Sequence, residues 1–234
     1  MMITEAIILA GGFGTRLQGT LPDIPKPMAP IGKQPFLHFV LQHLSSQNVK
    51  SVVLSVGYRA EMIQSHFKDK YLGMSLIYEI EHEPLGTGGA IRASMRHITG
   101  KDFIAINGDS LFRISMEKMW TMHHSQNADV TIALKPMRHF DRYGTVKLAE
   151  DGRITAFIEK QPTEQGLING GTYIIGRDQF QDNWPRKFSI EKDFFEPEVR
   201  NKSIFGAVFD DYFIDIGIPE EYERAQNELG TLAD

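Results

Sequence analysis

Residues 6–16 read AIILAGGFGTR, a short apolar run that leads directly into a glycine-rich loop. Consecutive apolar residues without alternation are typical of a strand that is buried on both faces of a parallel sheet. Gly11 and Gly12 allow a sharp departure from that strand, because glycine adopts backbone conformations that other residues avoid. The stretch therefore predicts an α/β fold with a loop at the carboxyl end of its first strand.

The alternation of strand and helix continues along the first half of the chain. Strands are predicted at 51–56, 75–80 and 103–107, and helices at 36–44, 59–67 and 89–97. Strands that alternate with helices in this way build a doubly wound sheet. Ligands of such sheets bind beyond the carboxyl ends of the strands.

The second half of the chain is richer in strands. A helix at 116–125 and a strand at 130–134 are followed by shorter β-rich pieces near Thr145, 154–159 and 171–175, and by a closing helix from Pro219. We expect these pieces to extend or cap the sheet. No internal repeat or proline-rich linker separates the halves, so residues 1–234 are expected to form one domain of two lobes.

Composition excludes several classes of protein. The chain is 41% hydrophobic and 24% charged, which is ordinary for a globular domain. A net charge of −5 with scattered basic residues argues against binding to nucleic acid or to an anionic membrane. The absence of cysteine excludes disulfides and thiolate chemistry, and no signal peptide or spanning segment is found, so a cytoplasmic protein is expected. A homo-oligomer is compatible with the sequence.

The loop after the first strand suits phosphate, because closely spaced glycines let backbone N–H groups surround an anion. It lacks the third glycine of a dinucleotide fingerprint and the lysine of a Walker loop. Arg16 within the loop and Lys26, between two prolines that are expected to hold it extended, supply two cations instead. The alternative is an ordinary surface turn with an exposed lysine.

Two aspartates are candidate metal ligands, and the first of them follows the strand predicted at 103–107. Asp109 ends the motif NGD at 107–109, and Asp215 begins DIG at 215–217. Carboxylates at such positions can hold Mg²⁺ while the ion bridges phosphate oxygens, although each aspartate alone is more typical of a loop or a helix cap. Ahead of both aspartates in the sequence, residues 83–90 (EPLGTGGA) read as a glycine-rich turn that opens a helix, where a flat ligand can lie against the backbone.

Five motifs therefore occur in order: GGFGTR at 11–16, PKP at 25–27, GTGGA at 86–90, NGD at 107–109 and DIG at 215–217. Together they resemble the sugar-1-phosphate nucleotidylyltransferase family, and the resemblance runs from Ala6 to Tyr222. It implies a Rossmann-like α/β/α sandwich with a mostly parallel central sheet. It also implies an enzyme that uses Mg²⁺ to join a nucleoside triphosphate to a sugar 1-phosphate, with release of pyrophosphate.

The resemblance assigns roles residue by residue and implies a nucleotide-binding lobe at about 1–110 and a sugar-binding lobe at about 111–234. Arg16, Lys26 and Asp109 are implied in catalysis, and Asp109 and Asp215 in binding Mg²⁺. The implied nucleotide-binding residues are Leu9, Gly11, Gly12, Gly14, Thr15, Arg16, Glu83, Gly86, Thr87 and Gly108. The implied sugar-phosphate residues are Gly144, Glu159, Lys160, Asn169 and Gly170.

The choice of substrates rests on three segments, at 140–146, 166–171 and 210–217, which resemble the family members that transfer GMP to a heptose 1-phosphate for capsule, lipopolysaccharide or S-layer glycans. GTP is favoured because the Glu83 carboxylate can accept hydrogen bonds from two adjacent donors of guanine. Mannose 1-phosphate with GTP and N-acetylmuramic acid 1-phosphate with UTP remain alternatives. So does a catalytically silent nucleotide-sugar sensor. The C-terminal β-helix of some relatives is not expected.

Overall fold

A computed structural model describes residues 3–12, 23–180 and 184–230. The strands are β1 (Glu5–Ala10), β2 (Pro30–Ile31), β3 (Gln34–Pro35), β4 (Ser51–Val56), β5 (Lys70–Tyr71), β6 (Met74–Ile80), β7 (Asp102–Asn107), β8 (Ser110–Phe112), β9 (Val130–Phe140), β10 (Thr145–Leu148), β11 (Ile154–Ile158), β12 (Thr163–Gly176), β13 (Ile204–Val208) and β14 (Phe213–Asp215). The α-helices are α1 (Phe36–Ser46), α2 (Ala60–Phe67), α3 (Gly86–Ser94), α4 (Met116–Ser125), α5 (Glu196–Glu198) and α6 (Pro219–Leu229). A π-helical segment, Ile190–Phe195, runs directly into α5.

The centre of the molecule is a ten-stranded sheet in which β1 lies between β4 and β7. The strands β7, β1, β4 and β6 are parallel, as the alternation of strand and helix predicts. Ile7 and Ile8 point to opposite faces of the sheet and both are completely buried. The unbroken apolar run of β1 is thus explained by cover on both faces.

Helices cover the two faces unequally. One apolar core contains residues from α1, α2, α4 and α6, and the other contains residues from α3 and the π-helical segment. In α1 the predicted apolar positions Phe36, Leu37, Val40, Leu41 and Leu44 are all buried. This arrangement confirms the α/β/α sandwich.

The second half of the chain extends the same sheet, as expected, but with longer strands than predicted. The strand predicted at 130–134 continues to Phe140, and the one predicted at 171–175 begins at Thr163. The prediction stopped early because residues 135–139 include Pro136 and polar side chains, and they are partly or fully exposed. The long arms of β9 and β12 pair with each other, and β10 also pairs with β12.

The strand β12 pairs antiparallel with β7 and also with β9. The strand β13 then pairs parallel with β9. The strands β8, β13 and β14 and the segment Ile190–Phe195 are not predicted by the sequence pattern. Each is short, and short apolar runs carry little periodicity. In the part of the chain that the structure describes, no helix is long and apolar enough to cross a membrane.

Candidate active site

A cleft of about 320 Å³ opens at the carboxyl ends of β1 and β7. From β1 the chain continues to β4 on one side, whereas β7 lies on the other side of β1, and the carboxyl ends of such strands are the usual ligand site of a doubly wound sheet. The predicted residues that line the cleft are Leu9, Gly11, Gly12, Lys26, Gly86, Thr87 and Asp109. Gly108 lies directly behind it, because its N–H donates to the Leu9 carbonyl and a Cβ there would stand 2.7 Å from that oxygen. The remaining members of the predicted phosphate loop, Gly14, Thr15 and Arg16, lie outside the described residues.

Lys26 projects into this cleft from a tight turn. Its Nζ lies 3.0 Å from Asp109 Oδ2, and its side chain is 16% exposed. The expectation of an extended backbone at Lys26 is wrong, because Lys26–Met28 forms a 3₁₀ turn. The turn is closed by the N–H groups of Met28 and Ala29, which donate to the carbonyls of Pro25 and Lys26. These two bonds outweigh the preference of a residue before proline for extended backbone.

The two predicted metal ligands are brought together by a small second sheet. The strands β8 and β14 pair antiparallel with Asp215 opposite Ser110, and the Ile216 N–H donates to the Asp109 carbonyl at 3.0 Å. Asp109 and Asp215 therefore lie close to each other in the fold, although they are far apart in the sequence. The sequence pattern does not predict this pairing.

The environment of Asp215 is strongly polar. Its Oδ2 accepts a hydrogen bond from the Tyr143 hydroxyl at 3.0 Å, and its Oδ1 accepts one from the Gly217 N–H at 2.8 Å. Burial and the nearby charge of Asp109 raise the pKa of the Asp215 carboxyl, and these hydrogen bonds and Lys26 act in the opposite direction. A cation at the aspartates would relieve this repulsion.

The pair fits Mg²⁺ by the chemistry of its donors. Hard divalent cations take oxygen ligands, and Mg²⁺ usually accepts one or two carboxylates and completes its shell with phosphate oxygens and water. Among residues 3–12, 23–180 and 184–230 there is no group of three or more histidine or acidic side chains arranged to hold a metal without such help. The site thus suits a metal that arrives with a phosphate ligand.

Two glutamates near the cleft have different placements. Glu83 is exposed, and its carboxylate pairs with Arg186 at 2.9 Å rather than lining the cleft. Glu81, which the sequence did not single out, lines the cleft and accepts hydrogen bonds from Ser55 Oγ at 2.8 Å and the Leu85 N–H at 3.2 Å. A Cβ at Gly11 would collide with its carboxylate. Its position directly after β6, at the carboxyl end of a parallel strand, is the signal that could have identified it.

The glycine-rich turn at Gly86 is shaped by close packing. Gly86 has φ of +72°, and a Cβ there would stand 2.5 Å from the Phe188 carbonyl. The next residue, Thr87, lines the cleft from the first turn of α3, and its hydroxyl accepts a hydrogen bond from the Ile190 N–H, in the segment that follows Phe188. This close approach explains the glycine and joins the cleft to the second half of the chain.

A second cavity, of about 180 Å³, adjoins the aspartates on the other side. Four predicted residues line it: Gly144, Lys160, Asn169 and Asp215. Two predicted sugar residues do not. Glu159 is exposed and pairs with Lys192 at 3.6 Å, and Gly170 packs where a Cβ would overlap the Phe112 ring.

Arg142 and Tyr143 also line this second cavity, and the sequence pattern did not assign them a role. The Arg142 guanidinium donates to the Tyr143 hydroxyl at 2.8 Å and lies over its ring. Burial and the charge of Asp215 raise the pKa of Tyr143, so its hydroxyl is a neutral donor to that carboxylate. Their place beside Gly144 in the sequence is the available signal.

The two cavities thus have different linings and a common boundary. Asp109 lines the larger one and Asp215 the smaller one, while each cavity also holds a lysine, Lys26 or Lys160. Such a boundary can bring two phosphate-bearing molecules together, because the lysines and a metal neutralise the charges that would keep them apart.

The chain matches the family model described as nucleotidyl transferase over residues 5–231. It is 49% identical to the D-glycero-alpha-D-manno-heptose 1-phosphate guanylyltransferase of Aneurinibacillus thermoaerophilus, over 96% of this chain and 98% of that protein. It is 33% identical to the mannose-1-phosphate guanylyltransferase of Mycobacterium tuberculosis, over 96% of this chain and 64% of that protein.

The structure resembles that of HddC from Yersinia pseudotuberculosis in complex with GMP-PN. The TM-score is 0.87 and the sequence identity is 37%, over 97% of this chain and all of that one. The similarity therefore covers both cavities and the aspartates between them.

Proposed function

Because this chain belongs to the nucleotidyl transferase family, we propose that it transfers GMP from GTP to D-glycero-α-D-manno-heptose 1-phosphate and releases pyrophosphate. One observation carries the proposal: a nucleotide-sized cleft and a smaller cavity meet at Asp109 and Asp215, with Lys26 beside them. The identity to a heptose 1-phosphate guanylyltransferase supports the choice of substrates.

The reaction needs no covalent enzyme intermediate. An oxygen of the sugar phosphate attacks the α-phosphorus of GTP in line. The bond between that phosphorus and the oxygen bridging to the β-phosphate breaks, and pyrophosphate leaves with the bonding electrons. Because the sugar phosphate is already ionised at neutral pH, the protein need not remove a proton. Its contribution is to position the two substrates and neutralise their charge.

Lys26 supplies one positive charge at the boundary of the cavities, and Arg16 is proposed to supply another. Asp109 and Asp215 would hold Mg²⁺, which supplies charge neutralisation on the phosphate oxygens when bound. Lys160, on the far side of Asp215, is proposed to bind the phosphate of the sugar. Each group acts on charge that develops during transfer, which is where binding energy raises the rate.

Recognition of guanine is proposed to use a carboxylate at the end of β6. The sequence favours Glu83, but Glu81 is the one that lines the cleft. The variants Glu81→Gln and Glu83→Gln separate the two. We expect the substitution of the residue that binds guanine to lower the ratio of kcat/KM for GTP to kcat/KM for UTP. The other substitution should leave this ratio unchanged.

Mannose 1-phosphate is the second candidate acceptor, because the similarity to a mannose-1-phosphate guanylyltransferase covers 96% of this chain. The two sugars differ by a small substituent. A pocket that contacts such a substituent favours one sugar over the other by only about 1–3 kcal/mol of binding free energy, unless a buried polar contact is lost. Turnover with each sugar is therefore the measurement that decides.

The experiment is a grid of GTP, UTP, ATP and dTTP against heptose, mannose and N-acetylmuramic acid 1-phosphates, scored by release of pyrophosphate in the presence of Mg²⁺. We expect the highest kcat/KM for GTP with the heptose phosphate. Equal turnover with UTP would reject the guanine assignment, and higher kcat/KM with mannose 1-phosphate would reject the heptose. No release with any pair would identify a silent subunit instead of an enzyme.

A further inference from the structure

A chain of polar side chains runs between the two cavities behind Asp109. At the nucleotide end, Thr87 lines the larger cleft. Its hydroxyl donates to Glu191 Oε2 at 2.7 Å and accepts from the Ile190 N–H at 2.9 Å. Thr87 is thereby fixed to the π-helical segment rather than free to rotate.

The other end of the chain reaches the smaller cavity. Asn169, which lines that cavity, donates from Nδ2 to the Tyr173 hydroxyl at 3.0 Å. The Tyr173 hydroxyl in turn donates to Glu191 Oε1 at 3.3 Å. Asn169 is held in this orientation because its Oδ1 accepts from the Gly171 N–H at 2.9 Å. Glu191 is therefore connected to the larger cleft directly through Thr87 and to the smaller cavity through Tyr173 and Asn169.

Packing alone does not explain an acid at this position. Tyr173 is completely buried and Glu191 is partly buried, so the carboxylate loses part of its hydration, which its hydrogen bonds replace. Three hydroxyls, of Thr87, Ser189 and Tyr173, converge on the two oxygens of Glu191. The segment that carries Glu191 is a π-helix, a rare form that is frequent at functional sites.

We propose that Glu191 is a positioning residue that links the nucleotide cleft to the sugar-phosphate cavity by holding Thr87 and Asn169 in place at the same time. This inference rests on the proposed function, which identifies the two cavities as the two substrate sites. Removing the carboxylate leaves the hydroxyls of Thr87 and Tyr173 without their acceptor, so both cavities lose a fixed wall.

The test compares Glu191→Met, which is similar in length but not polar, with Glu191→Gln. A glutamine keeps one acceptor and gains one donor, which the hydroxyls can accommodate by rotating. We expect Glu191→Met to raise the KM of both substrates by about 5- to 100-fold, with a smaller change in kcat, and Glu191→Gln to recover most of the loss. The matched control is Glu196→Met, an exposed glutamate in the helix that follows.

The variant Tyr173→Phe separates a positioning role from a merely structural one, because it should change the KM of only one substrate. It removes the hydroxyl between Asn169 and Glu191 and leaves the bond from Thr87 intact, so we expect the KM of the sugar phosphate to rise and that of GTP to stay the same. Unchanged KM values in both Glu191→Met and Tyr173→Phe, with a lower melting temperature alone, would overturn the proposal. Should Glu191→Met not fold, Tyr173→Phe decides by itself.

The outcome is separable from that of the proposed reaction. If the wild-type chain releases no pyrophosphate with any substrate pair, the proposed function fails. Calorimetric titration of GTP into the wild type and Glu191→Met then decides the positioning role. Weaker binding in the variant supports it, and equal results for the two proteins overturn it.

Discussion

Lys26 is the residue for which the structure and the proposed chemistry agree in most detail. Its ammonium lies 3.0 Å from Asp109 Oδ2, and the 3₁₀ turn at 26–28 forms this part of the cleft wall. We expect Lys26→Ala to lower kcat by about 10²–10³, the usual effect of losing one donor to the transition state. Pyrophosphate release measures this effect. Lys147→Ala, which changes an exposed lysine of β10, is the control, and near wild-type kcat in Lys26→Ala would contradict the assignment.

Tyr143 acts one step away from the chemistry, through the carboxylate of Asp215. Loss of a group that orients a metal ligand typically weakens metal binding 10- to 100-fold. We therefore expect Tyr143→Phe to raise the Mg²⁺ concentration for half-maximal activity by about that factor, while kcat at saturating Mg²⁺ changes little. Tyr78→Phe is the control, because that hydroxyl bonds to the Lys68 carbonyl, away from the site. An unchanged Mg²⁺ requirement would show that Asp215 is held without the hydroxyl.

At the scale of elements, the small sheet of β8 and β14 depends on close packing against β12. A Cβ at Gly170 would overlap the Phe112 ring and approach the Ala133 carbonyl to 3.1 Å. Gly170→Ala should therefore push Phe112 outward and displace the strand that follows Asp109, at a cost of about 1–3 kcal/mol in the free energy of unfolding.

Urea unfolding and pyrophosphate release together test this change. We expect Gly170→Ala to lose both stability and activity. Gly230→Ala should change neither, since a Cβ there comes no closer than 3.7 Å to any neighbour. Full activity in Gly170→Ala would mean that the aspartates do not depend on this contact.

The elements that could be predicted are those whose hydrophobic pattern is set by local burial. The bounds of β4 and α4 agree with prediction at 51–56 and 116–125, because β4 is an almost continuous buried run and α4 begins at a Ser115 cap. The strands β9 and β12 could not be delimited, because their outer arms are stabilised by pairing with each other and not by burial.

At the scale of the whole molecule, the sequence could predict which edge of the sheet carries the site. It could not predict which distant residues meet there. Asp109 and Asp215 were paired by resemblance, yet what joins them is the register of β8 with β14. Glu81 is not predicted for the same reason, since its neighbours are Ser55 in β4 and Gly11 directly after β1. Contacts between strands depend on tertiary register, which local patterns do not contain.

The stability of the whole molecule should depend on pH through a partly buried histidine. Burial and the charge of Arg113 lower the pKa of His43 to about 4, from 6.5. The unfolded chain therefore binds more protons than the folded chain between these values, and the free energy of unfolding must fall as the pH decreases through that window. The lowered pKa values of His38 and His123, also caused mainly by burial, act in the same direction.

Between pH 7 and pH 5 the contribution of His43 is about 2 kcal/mol, at 1.36 kcal/mol for each pH unit below 6.5. Urea unfolding at the two pH values measures it. His43→Gln should reduce the loss of stability between them by about that amount. Ser46→Ala, on the same helix, changes no titrating group and should leave the difference as it is in the wild type. An equal loss in His43→Gln and the wild type would mean that His43 is not protonated on unfolding, and the acid sensitivity would have to come from elsewhere in the fold.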